Sequence, residues 1–296
     1  MLNANAGRVK LGGKTFQDFA YRNTLRRMRK NNSAPPRREA MGGLAKGLGV
    51  IRAFTRERAA MSLSDLAAAT QMPAATTRRC LLTLEELGYV TRSGRQFVLR
   101  PKVLELGAAY LESMNIEFLT KTHLEELARR TGDSAALCVL EGGETVYVAR
   151  ASIRTLVRLE AHVGSRFPAY PTSTGRVLLA GLSPSHLEEY FDGLRPVQLT
   201  NRTVTDPRQL RQLVEECRHC GYSAVEDELA YGVVALAVPV FDQSARVVAA
   251  LNTSSHSRRI SKAKLVRERF TMLKQLSREI SADLAKVPGL SLSAHI

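Results

Sequence analysis

Tryptophan is absent from this chain of 296 residues, aromatic side chains make up only 6% of it, and there are four cysteines. So few cysteines cannot staple a fold of this length, so the thiols are expected to be reduced, as in a cytoplasmic protein. Acid is scarce as well: 28 Asp and Glu stand against 43 Lys and Arg, a formal net charge of +15. No window reaches the roughly 18 uninterrupted apolar residues of a membrane-spanning helix. The first residues hold no apolar segment of the kind a secretory signal carries. Short apolar runs are plentiful, at 44% hydrophobic residues. That suffices for a packed core, and the length suffices for two domains and a tail.

The charge is uneven. Residues 1–40 carry ten Lys or Arg against two acids, residues 41–100 nine against four, and residues 101–296 the remaining 24 against 22. This predicts a basic, disordered arm over 1–40, a module over 41–100 that faces a polyanion, and a nearly neutral remainder with another task.

The periodicity refines that division. Leu44, Leu48, Ile51 and Phe54 recur at helical spacing. Ser62-Leu63-Ser64-Asp65 supplies cap chemistry for a second helix with Leu63, Leu66 and Ala67 inward, and Met72-Pro73 ends it. A third helix is expected over 74–87, with Cys80, Leu81, Leu84 and Leu87 on one face and Gly88 as its stop. Two short strands, 89–92 and 96–99, flank Ser93-Gly94-Arg95, a turn signal. Helix, turn, helix and basic hairpin form a winged helix-turn-helix. Ala74, Thr76, Arg78 and Arg79 start the recognition helix, where base edges of duplex DNA are met, and Arg92 and Arg95 on the wing suit phosphates or the minor groove.

A linker helix is expected over 101–115, another helix over 117–130, and then a change of period. Strands are expected over 135–140, 145–149, 155–160, 222–226, 233–241 and 247–253. Helices fill 174–180, 184–191, 207–217 and 262–286, so residues 116–288 are expected to form an α+β domain, an antiparallel sheet with flanking helices, before a tail over 289–296. Within it, Arg150, Arg154, Arg158, Arg166 and Arg176 have one acid, Glu160, among them, and Thr172-Ser173-Thr174-Gly175 reads as a capped helix start. Unpaired N–H groups there, with the Ser173 and Thr174 hydroxyls, suit a carboxylate; an ordinary cap beside a solvated basic face is the alternative.

Catalytic and metal chemistry find little support. Cys217 and Cys220 form a single Cys-x-x-Cys, whereas zinc needs four ligands. His162 and Ser173 are accompanied by neither a nucleophile elbow nor a placed acid. No catalytic residue, metal site or cofactor is therefore expected. An enzyme recruited to nucleic acid, or an effector-free DNA-organising protein, stays open as an alternative.

Three blocks carry a family resemblance. They are Thr76-Thr77-Arg78-Arg79-Cys80-Leu81 through Gly88-Tyr89-Val90; Val163-Gly164-Ser165-Arg166-Phe167-Pro168 with Thr172-Ser173-Thr174-Gly175-Arg176; and Gly221-Tyr222 through Glu228, Gly232 and Ala235-Leu236-Ala237-Val238-Pro239-Val240-Phe241-Asp242. From about residue 44 to about 286 the chain resembles IclR-type transcriptional regulators, nearest the branch controlling aromatic-acid catabolism through protocatechuate and β-ketoadipate regulators. The resemblance implies a GAF-like domain that binds a small organic-acid effector, an aromatic acid or a ring-cleavage product, and a homodimer or tetramer on double-stranded DNA. It implies a pocket at Leu156, Leu159, Phe167, Ser173, Thr174, Ala235, Asn252 and Ser254. One departure is Val225, where the family commonly has Asp or Ser.

Overall fold

The computed structural model describes residues 41–55, 57–113, 115–152 and 161–286. The basic arm over 1–40, the strand over 155–160 with Leu156 and Leu159, Arg154, Arg158 and the tail over 289–296 lie outside these described residues. Contacts within the chain separate two compact units, divided between Tyr110 and Leu111.

The first unit contains α1 (Gly42–Ala53), β1 (Ala60–Ser62), α2 (Leu63–Thr70), α3 (Ala74–Glu86), β2 (Val90–Ser93) and β3 (Gln96–Leu99). Ser62 starts α2 with a reciprocal cap: its Oγ accepts from Asp65 N at 3.2 Å, and its own N–H donates to Asp65 Oδ2 at 3.0 Å. The Ser62 hydroxyl also donates to Asp65 Oδ2 at 2.7 Å, and that bond, with the one from Ser62 N–H, holds the Asp65 carboxyl below the usual range. Gln71, left-handed at φ 56°, ends α2, and Pro73 caps α3. At the far end Tyr89 N–H reaches back to Leu84 O at 2.8 Å across Gly88, whose φ of +80° only glycine adopts easily.

Val50, Ile51, Ala53, Met61, Leu66, Leu81, Leu84 and Val90 form this unit's core. Two sequence expectations need correction. Ile51 is buried as expected, but Leu44 and Leu48 are 61% and 44% exposed, because α1 turns Val50 and Ala53 inward beside it instead. Leu87 is 51% exposed, lying at the helix end, and Thr77 takes an inward position, its hydroxyl donating to Pro73 O at 3.2 Å. The wing also gains a strand that the sequence did not reveal. Residues of β1 pair antiparallel with β3, giving the order β1-β3-β2.

A short 3-10 turn, Pro101–Val103, leads into α4 (Leu104–Ser113). The second unit then contains α5 (Ile116–Thr131), β4 (Ser134–Glu141), β5 (Glu144–Ala151), β6 (Arg166–Pro168), α6 (Ser173–Ala180), α7 (Pro184–Gly193), α8 (Pro207–Cys220), β7 (Ser223–Glu226), β8 (Val233–Phe241), β9 (Val247–His256) and α9 (Lys262–Leu284). The sheet is antiparallel, in the order β6-β5-β4-β9-β8-β7. Alternation along the strands sorts its residues. Leu137, Val139, Leu236, Val238, Val240 and Leu251 pack under α5 and α9. The opposite face carries smaller residues, and α6, α7 and α8 cover part of it through Leu140, Ala237 and Ala250.

Candidate nucleic-acid interface and ligand site

In the first unit, burying Thr77, Leu81 and Leu84 forces the other flank of α3 outward. Ala74, Arg78 and Arg79 are exposed and Thr76 is half-buried, so all four occupy the outer side of the first turns. Arg95 is exposed in the wing turn, where Gly94 takes φ +62°. Arg92 is exposed too but already engaged. Its Nε donates to Glu85 Oε2 at 3.1 Å, and its guanidinium lies 5.4 Å from the Phe97 ring centre. Glu85 therefore competes with any phosphate for this cation. Glu85→Gln is expected to tighten binding to specific and scrambled duplexes alike, read by a titration at fixed salt.

In the second unit, the helix-covered α6 side of the sheet holds most of the described ligand candidates. Ser173 and Thr174 are the first residues of α6, fully buried, and the Thr172 hydroxyl caps the helix by accepting from Gly175 N at 3.0 Å. Thr174 is hydrogen-bonded to the Cys138 thiol, whose pKa burial pushes far up. Phe167 on β6 meets Tyr147 edge-on, with ring centres 5.5 Å apart. Burial likewise drives the Tyr147 phenol upward, and its hydroxyl reaches the Asn252 amide. Asn252 is flanked in the ladder by Ala136 of β4 and Ala237 of β8. It is 3% exposed, and among the described residues its Oδ1 has no hydrogen-bond partner. Ser254 sits one step along the same face, opposite Ala235 and Ser134. Val225 pairs with Ala235 and is buried, an apolar contact.

Phe167, Ser173, Thr174, Ala235, Asn252 and Ser254 thus share one side of the sheet. The sequence missed Ala136, Cys138, Tyr147, Leu199 and Leu229, which belong to the same surface. A bulge explains Tyr147. The register steps from Leu137↔Ala149 to Cys138↔Tyr147, so Val148 is an extra residue and period-two counting along β5 breaks there. Leu199 and Leu229 come from connecting segments, and period-two counting does not reach them.

The basic cluster needs correcting. Arg176 is 4% exposed on its side chain and committed: Nε donates to Tyr170 O at 3.0 Å, and its two terminal nitrogens clasp Glu228 at 2.9 and 2.5 Å. Arg166 on the edge strand pairs with Glu144 at 2.9 Å. Arg150 lies beside Ala136 on the polar side and donates to Ser134 Oγ at 3.2 Å and Ser152 Oγ at 3.4 Å. A separate groove of about 470 Å³ runs between α5 and β5, lined by Leu124, Ala128, Val148 and Val163 among others. It shares Arg150 with the Asn252 surface but none of that surface's buried polar groups. Cys217 is buried, its thiol pushed up to about 12 by that burial, and Cys220 is exposed, both free thiols.

Residues 43–94 match the IclR helix-turn-helix domain, and residues 108–282 match the family described as bacterial transcriptional regulator IclR C-terminal. The chain is 37% identical over 245 residues to the Pca regulon regulatory protein of Pseudomonas putida, covering 82% of this chain and 84% of that one. It is 30% identical over 245 residues to the p-hydroxybenzoate hydroxylase transcriptional activator of Acinetobacter baylyi, covering 81% and 90%. A solved transcriptional regulator from Rhodococcus sp. RHA1, 38% identical, superposes with a TM-score of 0.75 over 83% of this chain and 99% of its own.

Proposed function

The chain belongs to the IclR family of bacterial transcriptional regulators, and from that premise we propose that it controls genes of aromatic-acid catabolism by effector-dependent binding to operator DNA. The α3 helix and the β2–β3 wing grip the duplex, with Arg78 and Arg79 at base edges and Ala74, Thr76, Arg92 and Arg95 beside them. A small organic acid lies against β4, β5 and β9, among Phe167, Ser173, Thr174, Ala235, Asn252 and Ser254, its carboxylate toward Arg150. It acts as a ligand and is not turned over. Occupancy favours one arrangement of the DNA-binding units over another, and α4, within the 101–115 linker, carries the bias. A homodimer or a tetramer reads repeated or palindromic half-sites in the cytoplasm. The observation that carries this reading is the buried Oδ1 of Asn252, without a hydrogen-bond partner among the described residues, in a unit distinct from the one that bears the exposed arginines.

The test is a titration of labelled promoter fragments against scrambled competitor at fixed salt, repeated with aromatic acids and their ring-cleavage products. Release or tightening by one acid, without consumption of that acid, is the expected result. Arg78→Ala and Arg79→Ala are expected to weaken operator binding by about 1–3 kcal/mol each while affecting scrambled duplex less. Equal losses on both duplexes would reduce them to backbone contacts. Absence of any preference for promoter DNA, whatever acid is supplied, would end the proposal.

A further inference from the structure

We infer that the outer ridge of α9 is a second contact for duplex DNA, gripping the phosphate backbone of sequence that flanks the operator. The inference goes beyond the proposed function, in which only the first unit touches DNA, and rests on that reading for the presence of a duplex. Over 258–279 the chain carries eight Lys or Arg against two Glu, leaving 16 against 20 elsewhere in 101–296. Two of the eight are committed inward, since Arg259 and Arg269 both pair with Asp133, whose side chain is fully buried. The helical period sorts the others. Burying Leu265, Leu273, Leu276, Ile280 and Leu284 turns the opposite side of α9 outward. Lys264, Arg267, Thr271, Lys274 and Arg278, at steps of three and four residues, form one exposed row there. It is about 21 Å long, fourteen residues at about 1.5 Å each.

The acids of α9 nearest the row are already engaged: Glu268 with Lys264 and Arg269 at 3.7 and 3.9 Å, and Glu279 with His123 at 3.6 Å. Arg267, Lys274 and Arg278, with Arg258 and Lys262 just ahead of them, join no ion pair among the described residues. Elsewhere in the same unit Arg130, Arg166, Arg176, Arg211, Arg218 and Arg246 each hold an acid. Helix stability does not account for the arrangement. Cations at a helix start oppose the macrodipole, yet Lys262 and Lys264 occupy the first turn of α9, which holds no acid. A phosphate beside them would turn that opposition into attraction. The row also selects its partner. None of the exposed large apolar side chains among the described residues lies on α9, so a protein would find no apolar anchor. Phe270 is half-buried, with Tyr222 and the Lys274 ammonium 4.8 and 5.7 Å from its ring centre, so unpaired bases lack a stacking platform. Duplex DNA needs neither, because each strand carries a phosphate per about 3.4 Å of axis, a line of charge to meet a line of cations.

The test is the salt dependence of DNA binding by the full chain, on an operator trimmed to its shortest binding length and on the same operator with random-sequence flanks. The flanked duplex is expected to bind more tightly, with a steeper fall of log affinity against log salt. Arg267→Gln/Lys274→Gln/Arg278→Gln should lower that slope on the flanked duplex by roughly 2 to 3, about 0.9 per phosphate contact, and leave the trimmed duplex unaffected. A charge-matched control, Arg129→Gln/Arg195→Gln/Arg208→Gln, replaces exposed cations elsewhere in the unit and should change neither. Should the ridge triple not fold, Arg267→Gln alone should lower the slope by about 0.9. An unchanged slope in the ridge variants, or an equal drop in the control, would overturn the inference. An unchanged slope joined to lost transcription by purified RNA polymerase would overturn it in favour of an acidic protein. The ridge variants should keep the preference for operator over scrambled duplex, since α3 and the wing are untouched. If the wild type itself lacks that preference, the proposed function falls, and the same slopes on long and short bulk duplex still decide the ridge.

Discussion

Gly175→Ala is expected to unfold or severely loosen the second unit, although alanine is the better helix former by about 1 kcal/mol. Gly175 is the third residue of α6, and a Cβ there would lie 2.0 Å from the Ala169 carbonyl oxygen and 2.3 Å from its Cα. Neither atom can swing aside, because both are backbone. The Thr172 hydroxyl that accepts from Gly175 N also donates to Ala169 O at 3.1 Å, so the cap and the crossing chain are tied together. Ordinary overpacking costs about 1–3 kcal/mol, and a clash with backbone should exceed that range. Thermal or urea unfolding measures it. Gly47→Ala is the control: it lies within α1, nothing stands within 4 Å of its Cβ position, and a gain of up to about 1 kcal/mol is expected. If the two alanine variants proved equally stable, the close crossing at Ala169 would be wrong.

Glu228→Gln is expected to cost about 3–5 kcal/mol, because it leaves the Arg176 guanidinium buried without its countercharge. The pair is bidentate, with side-chain exposures of 4% and 11%. Arg176→Met alone should be comparably damaging, since it strands a carboxylate. Combining Arg176→Met with Glu228→Leu should cost less than the two single changes added together. The pair also sets a loop in place: the Thr200 and Thr203 hydroxyls donate to Asp227 O and Glu228 O, and the next residue, Leu229, joins Phe167 and Tyr147 on the proposed ligand surface. Effector affinity should therefore fall with stability in the single variants. A Glu228→Gln protein within about 1 kcal/mol of the parent would mean that water reaches the pair.

The order of elements was largely legible from the chain, because long periodic segments carry strong signals. Helices α2, α3, α8 and α9 and strands β8 and β9 follow from apolar spacing and from cap chemistry such as that at Ser62. What escaped was three-residue β1 and β6, which are too short to show a period and exist because β3 and β5 offer them an edge. Charge was legible as an amount but not as an availability. Arg176, Arg166 and Arg92 looked alike in sequence, yet each is held by an acid, 52, 22 and 7 residues away along the chain respectively. Half of the proposed ligand surface was visible as capping and block residues, Ser173, Thr174 and Asn252 among them. The other half depends on a bulge and on segments brought in by tertiary packing.

The two faces of the second unit's sheet are unlike, and that asymmetry bears on how such a protein changes over time. Leucine and valine behind the sheet hold the fold, whereas the front carries the smaller Ala136 and Ala235. Exchanging one of those alanines can reshape the guest without touching what keeps the host folded. A duplicated copy could thus come to answer a different metabolite within a few mutational steps, while a lesion at Leu137 or Leu251 would silence every version at once.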